Sequence, residues 1–541
     1  MRMVWATESV SAMANTAAFD DPARGERRDR WRGRFAGLLA AMAMLAVIVV
    51  LRPLVDAVSL LDTMADALLL VLPISVFSWF LDVFGPQAKT LLLVGLVVVL
   101  LLIGAWLGGM FARQTAGSRR LRWAQATVYG GVVLLCTAGF MLLFLNDRMP
   151  SAVSGANLLR SMLLLAVASL AFAFVMAAAL MLLRRSDPAP VAAVDAVPQA
   201  TLEGATSRRT FLTWAGLLAA TVAGVLVVGQ EVKRVAQRKT VAGSATGELP
   251  PAITPADDFY VVSKNFVDPD PHRGADWSIA IGGLVDSEIT LSRQDLEALG
   301  SNTFVSTLTC ISNRVGGPLI STAEWTGVPL HTVLEQAGVG EGAARVIFEG
   351  EDGYTDSIPV ERALAPEPHI VWAMNGEPLP RLHGIPVRLI VPGLYGIKNV
   401  KWLTKITVTQ DDYEGYWQQR GWTNEGVIKT SSRIDVPGDR GVIPAGTTEI
   451  GGIAFAGDRG VRKVEVSVDD GATWREATIR DNPSPTGLSW VIWTLPWQAT
   501  PGAYTLVVRA TDGKGELQTE KEVSELPDGA SGWHHITVGV T

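Results

Sequence analysis

Leu308-Thr309-Cys310-Ile311-Ser312-Asn313-Arg314 is the stretch on which the reading of this chain turns. The residues from Phe304 to Leu308 have the β-branched and apolar character of a strand, and polar loop residues follow. Cys310 therefore sits where a strand gives way to a loop. The 541-residue chain has two cysteines, and the other, Cys136, lies in an apolar run. The two are not expected to meet in a disulfide. A lone thiol has a bland reading, a small buried core residue, and a sharper one, a reactive or metal-binding group. The residue alone leaves both open.

Working outward from Cys310, the chain alternates short strands and helices. Residues 277–284 alternate as a strand, 292–299 read as a short helix opened by a Ser cap, and 329–338 as a helix with Pro at its start. Residues 385–391 and 400–408 are further strands, giving an α+β domain. Beyond about Ser432 the texture changes. Val464, Val466 and Val468 alternate with polar residues before Asp470-Gly471, and Tyr504, Leu506 and Val508 do so before Asp512-Gly513. Such short strands and turns predict a β-sandwich of about a hundred residues, suited to packing or pairing.

The N-terminal 230 residues are dominated by Leu, Ala, Val and Met. Spans are expected at 35–51, 90–112, 123–145, 161–183 and 210–230, each close to the ~20 apolar residues that cross a bilayer. A sixth apolar stretch, 67–81, contains Pro73 and is read as interfacial or re-entrant. Arginines in the N-terminal tail (Arg24 to Arg34), at Arg113 to Arg122 and at Arg184-Arg185 fall on one side if five spans are counted. This puts the N-terminus in the cytoplasm of a bacterial cell and the C-terminal domain outside its membrane. Ser207-Arg208-Arg209-Thr210-Phe211-Leu212 resembles a twin-arginine export signal, a route for proteins folded around a cofactor. None of the six histidines falls within a span, so a bis-His membrane haem is excluded. The soluble half has no basic block interleaved with aromatics, and nucleic-acid binding is not expected.

The stretch around Cys310 is followed by Trp325-Thr326-Gly327-Val328-Pro329-Leu330, then Leu379-Pro380-Arg381-Leu382-His383-Gly384-Ile385-Pro386-Val387-Arg388, then Val391-Pro392-Gly393-Leu394-Tyr395-Gly396-Ile397-Lys398-Asn399-Val400-Lys401-Trp402. In this order and spacing the four blocks resemble the sulfite oxidase family. The apolar runs make a five-helix transmembrane region (35–230) after a tail (1–34), followed by a linker (231–249); the resemblance, over about 250–541, implies a molybdopterin-binding domain (250–425) and an immunoglobulin-like domain of dimerisation type (430–541). It makes Cys310 the thiolate ligand of molybdenum, a soft donor of the kind that metal takes. Asn313, His383, Arg388, Lys398 and Lys401 correspond to cofactor-binding positions. Tyr354 matches the family's active-site tyrosine, and Arg314 is a candidate for holding an anionic substrate. The chain departs from the pattern at Ser263-Lys264-Asn265, where sulfite-oxidising members carry Arg-Asn-His. The expected activity is oxygen-atom transfer of the sulfite oxidase kind on a small oxyanion, fed or drained by an electron-transfer partner. A reductase of S- or N-oxides and a non-catalytic membrane binding protein are the alternatives. A homodimer is expected and the haem domain of some members is not.

Overall fold

The computed structural model describes residues 22–55, 57, 60–72, 76, 79–80, 83–84, 88–115, 119–145, 155–185, 248–265, 268–269, 277–484 and 486–541. They fall into two compact units, the first drawn from 1–63, 91–145 and 155–233 and the second chiefly from 234–541.

The first unit is built from α1 (Pro22–Val55), α3 (Ala88–Gln114), α4 (Arg119–Leu145) and α5 (Gly155–Arg185), while α2 (Leu60–Val71) is divided between the two units at Thr63. Among the described residues four helices are long and apolar enough to cross a membrane, at Gly25–Arg52, Thr90–Gln114, Trp123–Leu143 and Leu158–Arg184. The expected span at 210–230 and the paired arginines before it lie outside the described residues. Of the short stretch expected at 67–81, residues 67–71 close the helix Leu60–Val71, and much of the remainder lies outside the described residues. The helix ends two residues before Pro73, whose preceding residue is disfavoured in the helical region.

Helices α1 and α3 approach through small residues spaced four apart. A Cβ built on Gly37 would lie 2.8 Å from the Cα of Gly108, and one on Gly104 would meet the backbone oxygen of Gly37 at 2.9 Å. Only glycine permits that approach. Arg184, in the last turn of α5, closes the C-terminal end of α3. Its guanidinium donates to the carbonyls of Ala112 (2.7 Å) and Thr115 (2.8 Å) and reaches Asp29 of α1 at 2.9 Å. It satisfies carbonyls that a helix end leaves without intrahelical donors.

The second unit begins with two sheets. In the first, β1 (Ser278–Gly283), β2 (Ile289–Ser292), β5 (Arg345–Gly350), β6 (Thr355–Pro359) and β10 (Leu403–Thr409) run in the order β2-β1-β10-β5-β6. The β1–β10 pair is parallel. The second contains β3 (Asn302–Thr309), β4 (Ile320–Pro329), β7 (His369–Met374) and β8 (Glu377–Pro378), with β9 (Arg388–Ile390) on β7. Helix α6 (Arg293–Ala298) starts at the expected Ser292, whose hydroxyl accepts from Asp295 N while Asp295 accepts from Ser292 N. Helix α7 (Leu330–Ala337) follows Pro329 directly. The strand expected at 385–391 shrinks to three residues, since Pro386 has no N–H to give a ladder. That expected at 400–408 starts only at Leu403, because Trp402 takes a positive φ of 52°.

From Ser431 onward the described residues form strands and loops, apart from one 3-10 turn at Gly457–Arg459. A four-stranded sheet of β11 (Ser431–Val436), β13 (Gly446–Phe455), β17 (Val491–Ala499) and β16 (Thr478–Asp481) faces a five-stranded one of β12 (Gly441–Ile443), β19 (His534–Val540), β18 (Gly502–Asp512), β14 (Val461–Ser467) and β15 (Arg475–Glu476). Inward residues of both, including Ile450, Trp493, Val464 and Leu506, make one core. A further apolar cluster joins this β-rich part to the rest of the unit: Ile311, Ile320, Tyr395 and Ile397 pack with Ile428, Phe455, Trp490 and Ile492. Hydrogen bonds reinforce that junction. Trp490 N donates to Thr307 Oγ1 (2.8 Å), and its indole donates to the carbonyl of Ala252 (3.0 Å).

Candidate active site

Strand β3 delivers Cys310 to the mouth of the β3–β4 loop. The loop is held shut behind it: Cys310 N donates to Leu319 O (2.9 Å), Asn313 N to Cys310 O (3.0 Å) and Leu319 N to Asn313 Oδ1 (2.9 Å). Asn313 thus shapes the loop from within. The loop's far side is braced by the β-rich part, where Arg433 Nη1 donates to Gly317 O (2.8 Å) and Arg314 Nε meets Glu525 Oε1 at 2.8 Å. Cys310 is 7% exposed, and burial pushes its thiol above the usual range, against the Ser312 hydroxyl at 3.1 Å.

Cys310 lines a cavity holding about 90 Å³ of water-accessible space. Tyr354, His383, Arg388 and Lys401 line it too, so the structure brings five of the expected residues together. Arg388, on the buried strand β9, donates to the carbonyls of His383 and Asn399, both at 3.1 Å. Its Nε is buried without a partner and it forms no ion pair among the described residues. Burial without a counter-charge pushes the guanidinium down to about 10. An unpaired buried cation is costly and calls for an anionic ligand. His383 donates from Nε2 to Ala256 O (3.1 Å), and burial together with Arg388 and Lys401 pushes it down to about 4, leaving it neutral. Lys401 Nζ donates to the carbonyls of Val262 (3.2 Å) and Leu382 (3.1 Å).

Three expected residues are not at this cavity. Asn313 and Arg314 line a second, smaller one against the β-rich part. Lys398 is buried, with its Nζ 2.7 Å from Asp356 Oδ1 and 3.0 Å from the Ser357 carbonyl. Burial pushes Asp356 up and Lys398 down, and each resists the other's neutralisation. The Lys398 charge is thus consumed inside the fold.

Sequence reasoning missed other residues of the cavity wall: Tyr260, Asp352, Asn399 and Trp417. Tyr260 lies three residues before the run Ser263-Lys264-Asn265, read only for its departure from Arg-Asn-His, and Asp352 sits two residues before Tyr354. Lys264, the cation of that run, also lines the cavity. It is coupled to Asp352 through Asn265: Lys264 Nζ lies 3.0 Å from Asn265 Oδ1, and Asn265 Nδ2 donates to Asp352 Oδ2 at 2.8 Å. Gly353, at φ 71°, turns the chain so that Tyr354 re-enters the wall. The Tyr354 hydroxyl lies 2.6 Å from Ile397 O and 3.1 Å from Asp356 Oδ2. Burial and Asp356 push its ionisation well above the usual range.

Residues 267–417 match the oxidoreductase molybdopterin binding domain, and residues 425–541 the Mo-co oxidoreductase dimerisation domain. The chain is 33% identical over 309 residues to the mitochondrial sulfite oxidase of Mus musculus, covering 48% of this chain and 57% of that protein. Sulfite oxidase of Gallus gallus is 30% identical over 315 residues, 50% of this chain and 68% of that protein. The inducible nitrate reductase [NADH] 2 of Glycine max is 32% identical over 333 residues, 50% of this chain and 37% of that protein. The chain thus spans 57% to 62% of the length of the mammalian relatives it matches.

Proposed function

This chain belongs to the sulfite oxidase family of molybdopterin-dependent oxidoreductases, and on that footing we propose that it is a membrane-anchored enzyme transferring an oxygen atom to or from a small substrate outside the cytoplasm. The observation that carries the reading is the cavity that pairs a buried thiol, Cys310, with a buried guanidinium, Arg388, that has no acidic partner among the described residues. A molybdopterin fits both. Its metal would take the Cys310 thiolate as a soft ligand, and its negatively charged groups would supply the counter-charge that Arg388 lacks. The bound cofactor supplies two-electron oxygen-atom chemistry. The protein's own share is positional. Arg388, Lys401 and neutral His383 hold and orient the pterin, while Phe259, Leu308 and Ile397 of the wall keep water from the reacting face. Arg314 and Asn313 act indirectly, by fixing the loop that carries Cys310.

The four apolar helices support the anchor. The arginine distribution supports a cytoplasmic N-terminus and a bacterial inner-membrane location, and Ser207-Arg208-Arg209-Thr210-Phe211-Leu212 supports export with the cofactor already loaded. The C-terminal part fits an immunoglobulin-like fold pairing with a second copy, in keeping with the dimerisation family it matches. Sulfite oxidation is the first reading of the reaction. The cavity also favours a second, reduction of neutral S- or N-oxides, because the Asp352 carboxylate on its wall offsets Lys264 and disfavours a dianion.

Metal analysis of the purified chain, made in a host that synthesises the cofactor, tests the enzyme reading: about one molybdenum per chain is expected, and none would refute it. Cys310→Ser should abolish turnover, at least ~10³-fold, with the fold retained. Sulfite with ferricyanide and dimethyl sulfoxide with reduced viologen separate the two directions.

A further inference from the structure

Among the described residues, the basic and acidic side chains lining the Cys310 cavity are Lys264, Asp352, His383, Arg388 and Lys401. In the reading above the cofactor takes up Arg388, Lys401 and neutral His383. What remains to meet a substrate is one cation, Lys264, and one anion, Asp352.

Asn265 joins the two. It is 5% exposed, and each end of its amide faces a charge. Lys264 Nζ donates to Asn265 Oδ1 at 3.0 Å, and Asn265 Nδ2 donates to Asp352 Oδ2 at 2.8 Å, across 87 positions of sequence. An amide has one accepting and one donating end, so a cation on one side and a carboxylate on the other fix its orientation. The second carboxylate oxygen, Asp352 Oδ1, accepts from Tyr354 N at 3.1 Å. Asp352 lies in the turn between β5 and β6 and so ties Lys264 to the segment that carries Tyr354. Ring contacts put the ammonium on the same side. Lys264 Nζ stands 5.2 Å from the centroid of Tyr416, whose ring lies 5.9 Å from that of Tyr354.

The bridge has an electrostatic consequence. A cation and a carboxylate held by one amide form a dipole without net charge, and its field falls off faster than that of a lone ammonium. A dianion entering the cavity would give up its hydration and find Lys264 already compensated. A neutral, strongly dipolar oxide gives up less and still meets both poles.

We propose that Asp352 sets the charge preference of the cavity: acting on Lys264 through Asn265, it makes the substrate side of the wall net neutral and favours a neutral oxide over a dianion. The assignment rests on the molybdenum reading of the cavity and deepens the second of its two reactions.

The test uses the full chain loaded with cofactor, as wild type, Asp352→Asn, Lys264→Met and the double variant, each with its molybdenum content measured. Sulfate, a dianion, is titrated into the resting protein by calorimetry, a readout that needs no turnover. Asp352→Asn leaves Lys264 uncompensated, and sulfate should bind about tenfold more tightly. Lys264→Met leaves the carboxylate alone and should weaken sulfate about tenfold. The double variant should return to within about threefold of wild type. All three differences should shrink as salt is raised, because screening acts on net charge. In turnover, kcat/KM for sulfite with ferricyanide relative to dimethyl sulfoxide with reduced viologen should rise in Asp352→Asn and fall in Lys264→Met. A purely structural role for the bridge would move sulfate in one direction in both single variants. That result at full molybdenum content, or an Asp352→Asn chain that binds sulfate as wild type does, would overturn the assignment while leaving the proposed function standing. If Asp352→Asn does not fold, the double variant decides: sulfate binding near wild type supports compensation, and a loss as large as in Lys264→Met overturns it. A wild-type chain without molybdenum would overturn both readings.

Discussion

In the helical unit Ala36, Ala40, Ala168 and Ala179 are fully buried, whereas Leu135 and Leu143 stand 74% and 79% exposed. In the second unit the order is reversed: Trp325, Trp402 and Trp493 are almost wholly enclosed, and charged residues such as Lys398 and Asp356 go in with them. The helical part is the richer in apolar residues, and the two units deploy theirs against different surroundings. Where helices pack through backbone contact, small residues go inside and bulky ones outside, the pattern that a lipid solvent would favour. Where water is the solvent, apolar area is removed from it and any buried charge must bring its partner.

The sharpest way to break this contrast is Lys398→Met. It strands Asp356 in a dry interior and should destabilise the second unit by about 3–5 kcal/mol. Adding Asp356→Leu to the same chain should recover most of that loss, in thermal unfolding followed by tryptophan fluorescence. Were Lys398 chiefly a cofactor ligand, the single variant would unfold as wild type does. The corresponding attack on the helical unit is by size. Gly37→Leu should separate α1 from α3 at an expense of about 3 kcal/mol, because the added atoms meet only Gly104 and Gly108 backbone. Protease accessibility of the detergent-solubilised chain would report it, and an unaltered cleavage pattern would contradict the packing.

Acid sharpens the contrast further, since all six histidines lie at or beyond His272. Burial lowers His534 to about 4, and its Nδ1 accepts the Ile434 amide at 3.0 Å. Below an unfolded value of about 6.5 the unfolded chain binds the extra proton first, so stability falls as pH drops from 6.5 toward 4. The second unit should lose on the order of 2 kcal/mol over that window, with the helical unit unmoved. His534→Asn should flatten the slope by about one proton, measured as unfolding free energy against pH.

Local signals in the sequence carried much of this architecture. Ser292 opened its helix and Asp470-Gly471 its turn because capping and turn chemistry act within a few residues. Cys310, His383, Arg388, Lys401 and Tyr354 were found through ordered motifs and do share one cavity. Lys398 misled for a physical reason. Its motif looks the same whether the ammonium points at a ligand or at a carboxylate 42 positions earlier in the chain. Tyr260 and Asp352 escaped because nothing local distinguishes a wall residue from a strand residue until distant segments close around it.

The apolar cluster joining Ile311, Ile320 and Tyr395 to Phe455, Trp490 and Ile492 has a consequence in time. The ribosome finishes the thiol-bearing part before it has made the strands that cover its far side. At roughly 5–20 residues per second, synthesis of the final hundred-odd residues takes on the order of 5–25 s. Throughout that interval Ile311, Ile320 and Tyr395 lack their cover, and the loop behind Cys310 lacks the braces from Arg433 and Glu525. The nascent chain is therefore sticky and its thiol-bearing loop unset until the last strand, His534–Val540, has emerged.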